Sequence, residues 1–349
     1  MKTSEVMRAW GTILTGRRPS LSIELTRECP LRCPGCYAYG DNHLGVDAPN
    51  LRKIADYKGE ELISGVLAVV EEMKPLHLSL VGGDPLVRYR ELEVLLPELS
   101  RRGVHVQLVT SAFRVIPTAW AEIPRLNVVV SVDGLEAEHD LRRRPATYER
   151  ILQSLAGHKE FFSIHCTITA QMLYRKRYLN DFADYWSARP EVKRIWFSIY
   201  TPQRGEVANE ILRPEQRLEV VERLLEIREY TKKLDMAPSA IRALAAPPAS
   251  PERCTFARTT ATISADLKTR VTPCQFGGDP DCSQCGCVAS VGLHALSEHK
   301  LLPILRVGTL FDMSFKIGHL VRPDTVPKPK RVSHETRGLV TLPPNSGAR

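Results

Sequence analysis

The sequence predicts an α/β fold, a partial (β/α)6 barrel followed by a small cysteine-rich C-terminal module. Three observations predict it. Short strand-like runs alternate with helix-like runs over the first two thirds of the 349 residues, as in parallel sheets built from βα units. The strand-like runs alternate polar and apolar residues with a period of two. Eight of the nine cysteines fall into two groups, one near the N-terminus and one beyond residue 250.

The strands and helices follow from residue periodicity. One apolar stripe, carried by Leu62, Val66, Val69, Val70 and Met73, has the spacing of an amphipathic helix. We predict strands at 21–26, 76–81, 104–109, 127–132, 161–169 and 193–200. We predict helices at 58–73, 89–102, 147–156, 178–188 and 214–233.

The alternation within the strands indicates an open barrel with a polar interior. In 161–169, Ile164, Cys166 and Ile168 share one face, and Ser163, His165 and Thr167 share the other. A sheet covered by helices on both faces is apolar throughout, and a closed eight-stranded barrel fills its interior with branched apolar side chains. We therefore expect a wide, incomplete barrel whose inner face is polar, with Cys166 in the apolar core.

The composition changes along the chain suggest four segments. The barrel is predicted at 1–236 and the cysteine module at 254–321. A connector rich in Pro and Ala, with four prolines in seventeen residues, joins them at 237–253. The last segment, 322–349, has six Lys or Arg, two acidic residues and five prolines, which predicts a flexible basic tail.

The overall composition narrows the functional classes. With 43% hydrophobic and 25% charged residues the chain is typical of a globular protein. Neither an apolar run of about 20 residues nor a secretory signal is visible, so we expect a cytoplasmic protein without a membrane partner. The tail carries half of the net charge of +8, and the arginine run 142–144 is interpreted as a solvated face, so nucleic acid is not an expected partner.

The first cysteine group follows the first strand directly. Cys29, Cys33 and Cys36 have the spacing C-x3-C-x2-C. In a reducing compartment such clusters indicate metal or redox chemistry rather than disulfides. Three thiolates can reach three corners of one small metal cluster and leave one position open. A zinc site completed by His43 is the alternative.

Polar and glycine residues also follow the next strands. Gly82, Gly83 and Asp84 follow the second strand, and Thr110 follows the third. Ser131 and Asp133 end the fourth strand, and His165 lies on the polar face of the fifth. The C-terminal ends of parallel barrel strands meet at one rim, where barrel enzymes assemble their sites, and glycines permit close backbone approach to a ligand. A Gly-Gly turn, a helix cap, an Asp-Gly turn and a hydrogen-bonded histidine are the corresponding structural alternatives.

Together these motifs resemble the radical S-adenosylmethionine (radical SAM) superfamily. The resemblance implies that Cys29, Cys33 and Cys36 are the catalytic ligands of a 4Fe-4S cluster that binds S-adenosylmethionine (SAM). It also implies a reductant such as flavodoxin or ferredoxin. This sequence has Gly35 where the family usually has an aromatic residue before the third cysteine. The cofactor pocket implied by the resemblance contains Tyr37, Gly82, Gly83, Asp84, Thr110, Ser131, Asp133 and His165. The alternative to a solvated face for the run 142–144 is that one of these arginines pairs with the cofactor carboxylate.

The second cysteine group predicts another metal site. A hairpin formed by 260–264 and 270–272 would bring Cys254 close to Cys274, and Cys282, Cys285 and Cys287 follow. Zinc and iron–sulfur clusters both suit such a thiolate set. The arrangement resembles the SPASM or twitch extensions of radical SAM enzymes, which implies an iron–sulfur module with an auxiliary 4Fe-4S cluster. The best four ligands are then Cys254, Cys274, Cys285 and Cys287, with Cys282 in reserve.

The resemblance therefore implies an enzyme that reductively cleaves SAM to a 5′-deoxyadenosyl radical, which abstracts hydrogen from an unknown substrate, either a peptide or a small metabolite. The net reaction class stays open. Two alternatives lack SAM chemistry: a zinc or iron–sulfur protein that binds nucleic acid, and an electron carrier with two clusters.

Overall fold

The computed structural model describes residues 3–36, 38, 40, 43–44, 50–145, 147–302 and 305–322. The strands in that part of the chain are β1 (Ser20–Glu24), β2 (His77–Val81), β3 (His105–Thr110), β4 (Leu126–Ser131), β5 (Phe162–Ile168), β6 (Val192–Ile199), β7 (Thr260–Ile263), β8 (Lys300–Leu302) and β9 (Leu305–Arg306). The α-helices are α1 (Thr3–Leu14), α2 (Gly59–Met73), α3 (Tyr89–Arg101), α4 (Glu136–Arg142), α5 (Tyr148–Leu155), α6 (Tyr178–Ala188), α7 (Pro214–Tyr230), α8 (Pro238–Ala243), α9 (Thr255–Thr259), α10 (Val288–Ser297) and α11 (Val307–Val321).

Seven strands form one open, fully parallel sheet in the order β6-β5-β4-β3-β2-β1-β7. In its register, Ser22 of β1 lies between Ser79 of β2 and Thr262 of β7. Strands β8 and β9 pair separately as an antiparallel hairpin. The predicted α/β fold with an incomplete barrel is confirmed.

The sequence located the first six strands and five of the helices closely. Every predicted end of β1–β6 is within two residues of the observed one. Helix α7 differs most, because it ends at Tyr230 rather than at residue 233. The chain turns there because Lys233 O and the Asp235 amide form hydrogen bonds with Ile195 of β6. This pairing takes the last residues of the predicted helix to the edge of the sheet.

Strand β7 extends the sheet beyond the six predicted strands. Its residues were expected in a hairpin with 270–272, and hairpin contacts do form from Val271 N to Thr262 O and from Ser264 N to Thr269 O. The same strand also pairs in parallel with β1. A strand that follows the predicted connector therefore belongs to the sheet of the barrel. The predicted domain bounds stay a prediction.

The two faces of the sheet differ as the alternation predicted. Leu21 and Ile23 of β1 are buried in the core with Leu62 and Val66 of α2. Cys166 is also part of this core, where it acts as a small apolar residue. Polar side chains of the strands occupy the other face and line a cavity.

Helix α10, which was not predicted, covers the open side of the sheet. It packs against β6 and against α9, which leads directly into β7. It also contacts α8, which lies inside the predicted connector. Since β6 and β7 are the two edge strands, α10 closes the gap between them.

The chain ends of the described part pack together. Helix α1 contacts α11, and Trp10 Nε1 donates a hydrogen bond to Ser314 Oγ at 2.6 Å. Among the described residues, no helix has the length and apolar character needed to span a membrane. The predicted basic tail lies outside the described residues, apart from Arg322.

Candidate active site

A cavity of about 830 Å³ runs along the polar face of the sheet and reaches the first cysteine group. Cys33 and Cys36 line it, whereas Cys29 does not, and Cys29 Sγ accepts a hydrogen bond from the Leu31 amide at 3.4 Å. Tyr37 lies outside the described residues. All nine cysteines lie within them, and none forms a disulfide.

The Gly-Gly segment after β2 holds the start of the cysteine loop. Gly83 N donates to Thr26 O at 2.7 Å, and Asp84 N donates to Glu28 O at 2.9 Å. A Cβ on Gly83 would overlap the Glu28 carbonyl, and Gly82 has a φ of +127°. These glycines therefore permit close approach of the cysteine-loop backbone. Neither glycine lines the cavity.

The side chains of Asp84 and Thr110 form a hydrogen bond with each other and do not line the cavity. Asp84 is buried, and its carboxylate accepts hydrogen bonds from Thr110 Oγ1 at 2.7 Å and from the Ser111 amide at 2.8 Å. The Ser111 hydroxyl and the Leu86 amide complete its contacts. The polar groups of Asp84 and Thr110 join the ends of β2 and β3 and do not line the cavity, and their contact with the cofactor stays a prediction.

A buried ion network lies beside Cys33. Asp133 accepts hydrogen bonds from Arg142 and from Arg143 Nε, the latter at 2.8 Å, and Arg142 Nε donates to Glu210 at 2.8 Å. Burial opposes ionisation of Asp133, but Arg143 and Arg142 outweigh this effect, so the pKa of this carboxyl lies well below its usual range. The predicted solvated face is wrong for these two arginines, which line the cavity.

Ser131 and His165 do line the cavity. His165 Nε2 lies 2.8 Å from Ser198 Oγ, which also accepts a hydrogen bond from the Val288 amide of α10 at 3.1 Å. Burial lowers the pKa of His165 to about 4, so the ring is neutral near pH 7. The structural alternative for His165, a hydrogen-bonded barrel histidine, is present, and the residue also faces the site.

Tyr200 contributes an aromatic ring that the sequence analysis did not select. It follows β6 and lines the cavity, and a Cβ on Gly35 would overlap its hydroxyl. The hydroxyl donates to Glu206 at 2.6 Å. In the sequence, Tyr200 lies on the polar face of the sixth predicted strand with Trp196 and Ser198. The polar–apolar alternation of that strand therefore could have identified Tyr200 as a residue that faces the cavity.

The second cysteine group surrounds a small cavity of its own, next to the large one. Its walls include Cys254, Cys274, Cys282, Cys285 and Cys287. The two cavities share Cys287, Thr201, Phe256 and Phe276. Gly286 docks this segment onto the barrel, because its amide donates to Thr201 Oγ1 at 2.9 Å and its carbonyl accepts from Ile199 N at 3.0 Å.

Burial raises the pKa of most thiols in both groups. It raises the pKa of Cys274 to about 12 and that of Cys282 to about 11, and it also raises the pKa of Cys33 and Cys36. These groups are therefore protonated near pH 7 and must lose protons to bind a metal. Among the described residues, no three Cys, His, Asp or Glu side chains converge as they would around one ion. The ligands of one zinc ion must converge on the same atom, whereas the thiolates of a four-iron cluster each bond a different iron. The lack of such convergence among the described thiols therefore suits a cluster better than a single zinc ion.

His43 is not grouped with the first three cysteines. Its Nε2 contacts Glu24, and its Nδ1 lies 3.2 Å from Phe276 O. Glu24 also accepts a hydrogen bond from Ser264 Oγ at 2.6 Å. Both ring nitrogens are thus engaged, so the alternative of a zinc site completed by His43 is wrong. The histidine instead joins β1 to the segment that carries Cys274.

The cysteine loop lies in a segment, residues 23–173, that matches the family model of the radical SAM superfamily. The chain carries a radical SAM domain. The matched segment starts within β1, contains all three loop cysteines, and ends after β5. The cysteine-rich C-terminal region follows this radical SAM domain.

Curated relatives match part of the chain. A PqqA peptide cyclase of Rhizobium meliloti (strain 1021) is 35% identical over 92 residues, which are 26% of this chain and 22% of that protein. An S-adenosylmethionine-dependent nucleotide dehydratase of Psychrobacter lutiphocae is 26% identical over 96 residues, 26% of this chain and 32% of that protein. The matches thus span about a quarter to a third of these relatives.

Solved structures share the fold over more of the chain. SuiB of Streptococcus suis bound to its precursor peptide SuiA has a TM-score of 0.54 at 15% identity, covering 78% of this chain and 63% of that one. The enzyme anSMEcpe with bound AdoMet has a TM-score of 0.54 at 16% identity, covering 86% and 80%. At these identities the likeness is one of fold.

Proposed function

We propose that this chain is a radical SAM enzyme with a catalytic cluster on Cys29, Cys33 and Cys36. The observation that carries the proposal is that Cys33 and Cys36 open onto a large cavity beside a buried pair of arginines. When bound, the reduced 4Fe-4S cluster supplies the electron that cleaves SAM to methionine and a 5′-deoxyadenosyl radical, which abstracts hydrogen from the substrate.

The residues around the cysteine loop suit an iron–sulfur cluster and SAM. Thiolates are soft ligands that select iron–sulfur clusters or zinc. Arg142 and Arg143 bring positive charge next to Cys33, and Asp133 and Glu210 balance part of it. Because Asp133 and Glu210 fix both guanidinium groups, these donors keep one orientation toward the cavity. Ser131 and the neutral His165 supply uncharged hydrogen-bonding groups on the same wall.

The glycine segment and Tyr200 act on the loop rather than on the ligand. Gly82 and Gly83 let the backbone of residues 26–28 pack against the end of β2, which fixes where the loop begins. Tyr200 packs on Gly35 between the second and third cysteines and covers that side of the loop. Both cysteines that line the cavity are half-buried.

We infer that the second cysteine group holds an auxiliary 4Fe-4S cluster, as in SPASM or twitch modules. Five thiols around one small cavity support this assignment. Cys254, Cys274, Cys285 and Cys287 remain the best four ligands, with Cys282 in reserve. Because Cys287 lines both cavities, a cluster held there would lie beside the substrate cavity.

A peptide is the substrate class that we propose. One curated relative is named a peptide cyclase, and the SuiB structure contains a precursor peptide. A reductant such as flavodoxin or ferredoxin would supply the electron. The alternatives without SAM chemistry, a nucleic-acid-binding protein or an electron carrier, find no support in these relatives. The cytoplasmic location stays a prediction.

An anaerobic cleavage assay tests the proposed activity. Reconstituted protein reduced with dithionite should convert SAM to 5′-deoxyadenosine, and Cys33→Ala should abolish this conversion. Cys166→Ala is the matched control, because Cys166 lies in the apolar core, and it should retain the activity. An iron-loaded wild type that binds no SAM and forms no 5′-deoxyadenosine would favour the electron carrier instead.

The division between the two cysteine groups has a separate test. Cys285→Ala should lower the iron content yet retain part of the SAM cleavage, because only the auxiliary site loses a ligand. Iron analysis and the 5′-deoxyadenosine assay on one preparation measure both effects. Complete loss of SAM cleavage in folded Cys285→Ala would contradict this division of roles.

A further inference from the structure

Two residues that line the large cavity carry buried hydroxyl groups. Ser22 is 1% exposed and Thr260 is 8% exposed, and both line the cavity. Ser22 Oγ and Thr260 Oγ1 make no hydrogen bond within the part of the chain that the structure describes. A buried polar group without a hydrogen-bond partner costs folding free energy. A ligand bound in the cavity would supply the partner that these hydroxyls lack.

Another wall of the cavity is apolar and has open space. It is the inner side of α10, formed by Val288, Ala289, Gly292, Leu293, Ala295 and Leu296. A Cβ placed on Gly292 would meet no other atom within 4 Å. Glycine inside a helix is unfavourable by itself, so Gly292 keeps this space open at a cost to helix stability.

The charged groups along the cavity are already paired. Arg142 and Arg143 are bound by Asp133, and Arg142 also by Glu210. Asp235, at another part of the lining, pairs with Arg194 at 3.0 Å. A ligand cation buried between β1 and α10 would therefore lack a free carboxylate partner among the described lining residues, and an unpaired buried charge is strongly unfavourable.

We propose that the space between α10 and strands β1 and β7 is a substrate subsite for an uncharged group with an apolar body and a hydrogen-bonding end, such as a neutral apolar side chain of a peptide with its adjoining amide. Ser22 and Thr260 bind the polar end, and Gly292 sets the size of the apolar part. This assignment deepens the proposed function and rests on it.

Binding of small amides to the reconstituted full chain tests the subsite. The test ligands are N-acetyl-L-leucinamide and its cationic counterpart N-acetyl-L-lysinamide, measured by ligand-observed NMR titration at millimolar concentrations, the affinity range expected for ligands of about a dozen heavy atoms. The variants are Gly292→Leu, Ser22→Ala and Gly11→Leu. Gly11→Leu is the matched control, because Gly11 lies in α1 outside the cavity lining and its added Cβ also meets no atom within 4 Å.

The leucine amide should bind the wild type and Gly11→Leu equally, and the lysine amide should bind more weakly than the leucine amide. Gly292→Leu should weaken binding of the leucine amide more than about tenfold, because its side chain fills the same space. Ser22→Ala should weaken it by about fivefold while the melting temperature stays equal or rises, since one unpaired buried hydroxyl is removed. A hydroxyl with only a structural role would instead lower the melting temperature.

Equal affinity of Gly292→Leu and Gly11→Leu, equal binding of both amides, or no detectable binding would overturn the subsite. The melting temperatures of the variants show whether each one is folded. Amide binding requires neither reductant nor SAM cleavage. A wild type that binds the leucine amide as predicted but cannot cleave SAM would therefore overturn the proposed function and leave the subsite standing.

Discussion

The orientation of Arg142 and Arg143 depends on one buried carboxylate. Asp133 is 1% exposed and accepts hydrogen bonds from both side chains, and its Oδ1 also accepts from the Thr167 amide at 3.1 Å. Removing one partner of a buried ion pair leaves an uncompensated charge, which is far more damaging than removing an exposed pair. Asp133 therefore stabilises the site and fixes the donors that face the cavity.

Asp133→Asn should lower the unfolding free energy by about 3–5 kcal/mol, because both arginines lose this counter-charge and only Arg142 keeps another, from Glu210. SAM should also bind more weakly. Chemical denaturation and SAM titration measure the two effects. Glu138→Gln is the control, since its pair with Arg175 is exposed and should be worth less than about 1 kcal/mol. Equal stabilities of the two variants would contradict the structural role of Asp133.

Sequence patterns predicted where polar residues lie, but not which neighbour each one contacts. Asp84 and Thr110 were expected to bind cofactor because they end adjacent strands, yet they bond each other. The same residue types at the same spacing suit either contact, and the choice depends on side-chain direction. Tyr200 could have been selected from the strand alternation, whereas its packing on Gly35 joins residues 165 positions apart.

At the level of elements, the segment from β2 to α3 fixes the cysteine loop by backbone contacts. Gly83→Ala should displace residues 27–28, because its Cβ would overlap the Glu28 carbonyl. We expect a loss of stability of about 1–3 kcal/mol and less iron at the first site. Gly11→Ala is the matched control, since its Cβ meets nothing and should leave the iron content unchanged. Iron analysis and chemical denaturation measure the two effects. Full iron loading of Gly83→Ala would contradict the role of Gly83 in fixing the cysteine loop.

The elements that the sequence identified are those with strong periodicity. Strands β1–β6 alternate polar and apolar residues because one face meets helices and the other the cavity. Helix α10 was missed because its residues, Val288–Ser297, are mostly small and apolar without a charged face. Strand β7 was seen as part of a hairpin, but its pairing with β1 spans about 240 residues, and no local pattern encodes such a contact.

Across the whole molecule, three histidines make stability depend on pH: His139 is buried, and His77 and His165 are half-buried where they line the cavity. Burial lowers the pKa of His77, His139 and His165 to about 4 each, below the ordinary value of 6.5. Between these values the unfolded chain binds protons that the folded chain does not, so the unfolding free energy falls as the pH decreases. Each histidine contributes at most about 1.4 kcal/mol per pH unit.

Denaturation of the metal-free protein between about pH 7.5 and 5.5, above the ordinary pKa range of carboxyl groups, should show this loss of stability. His77→Gln should reduce the slope, because one proton fewer is taken up on unfolding. An unfolding free energy that is constant over this interval would contradict the assignment of neutral histidines.

The two cysteine groups are joined through His43, Glu24 and Phe276, yet we assign them different roles. Electron paramagnetic resonance of the reduced, iron-loaded protein with and without SAM tests that assignment most directly. SAM should change the signal of one cluster in the wild type and in Cys285→Ala, and of none in Cys33→Ala. A wild-type spectrum with two reduced clusters that SAM leaves unchanged would contradict the account.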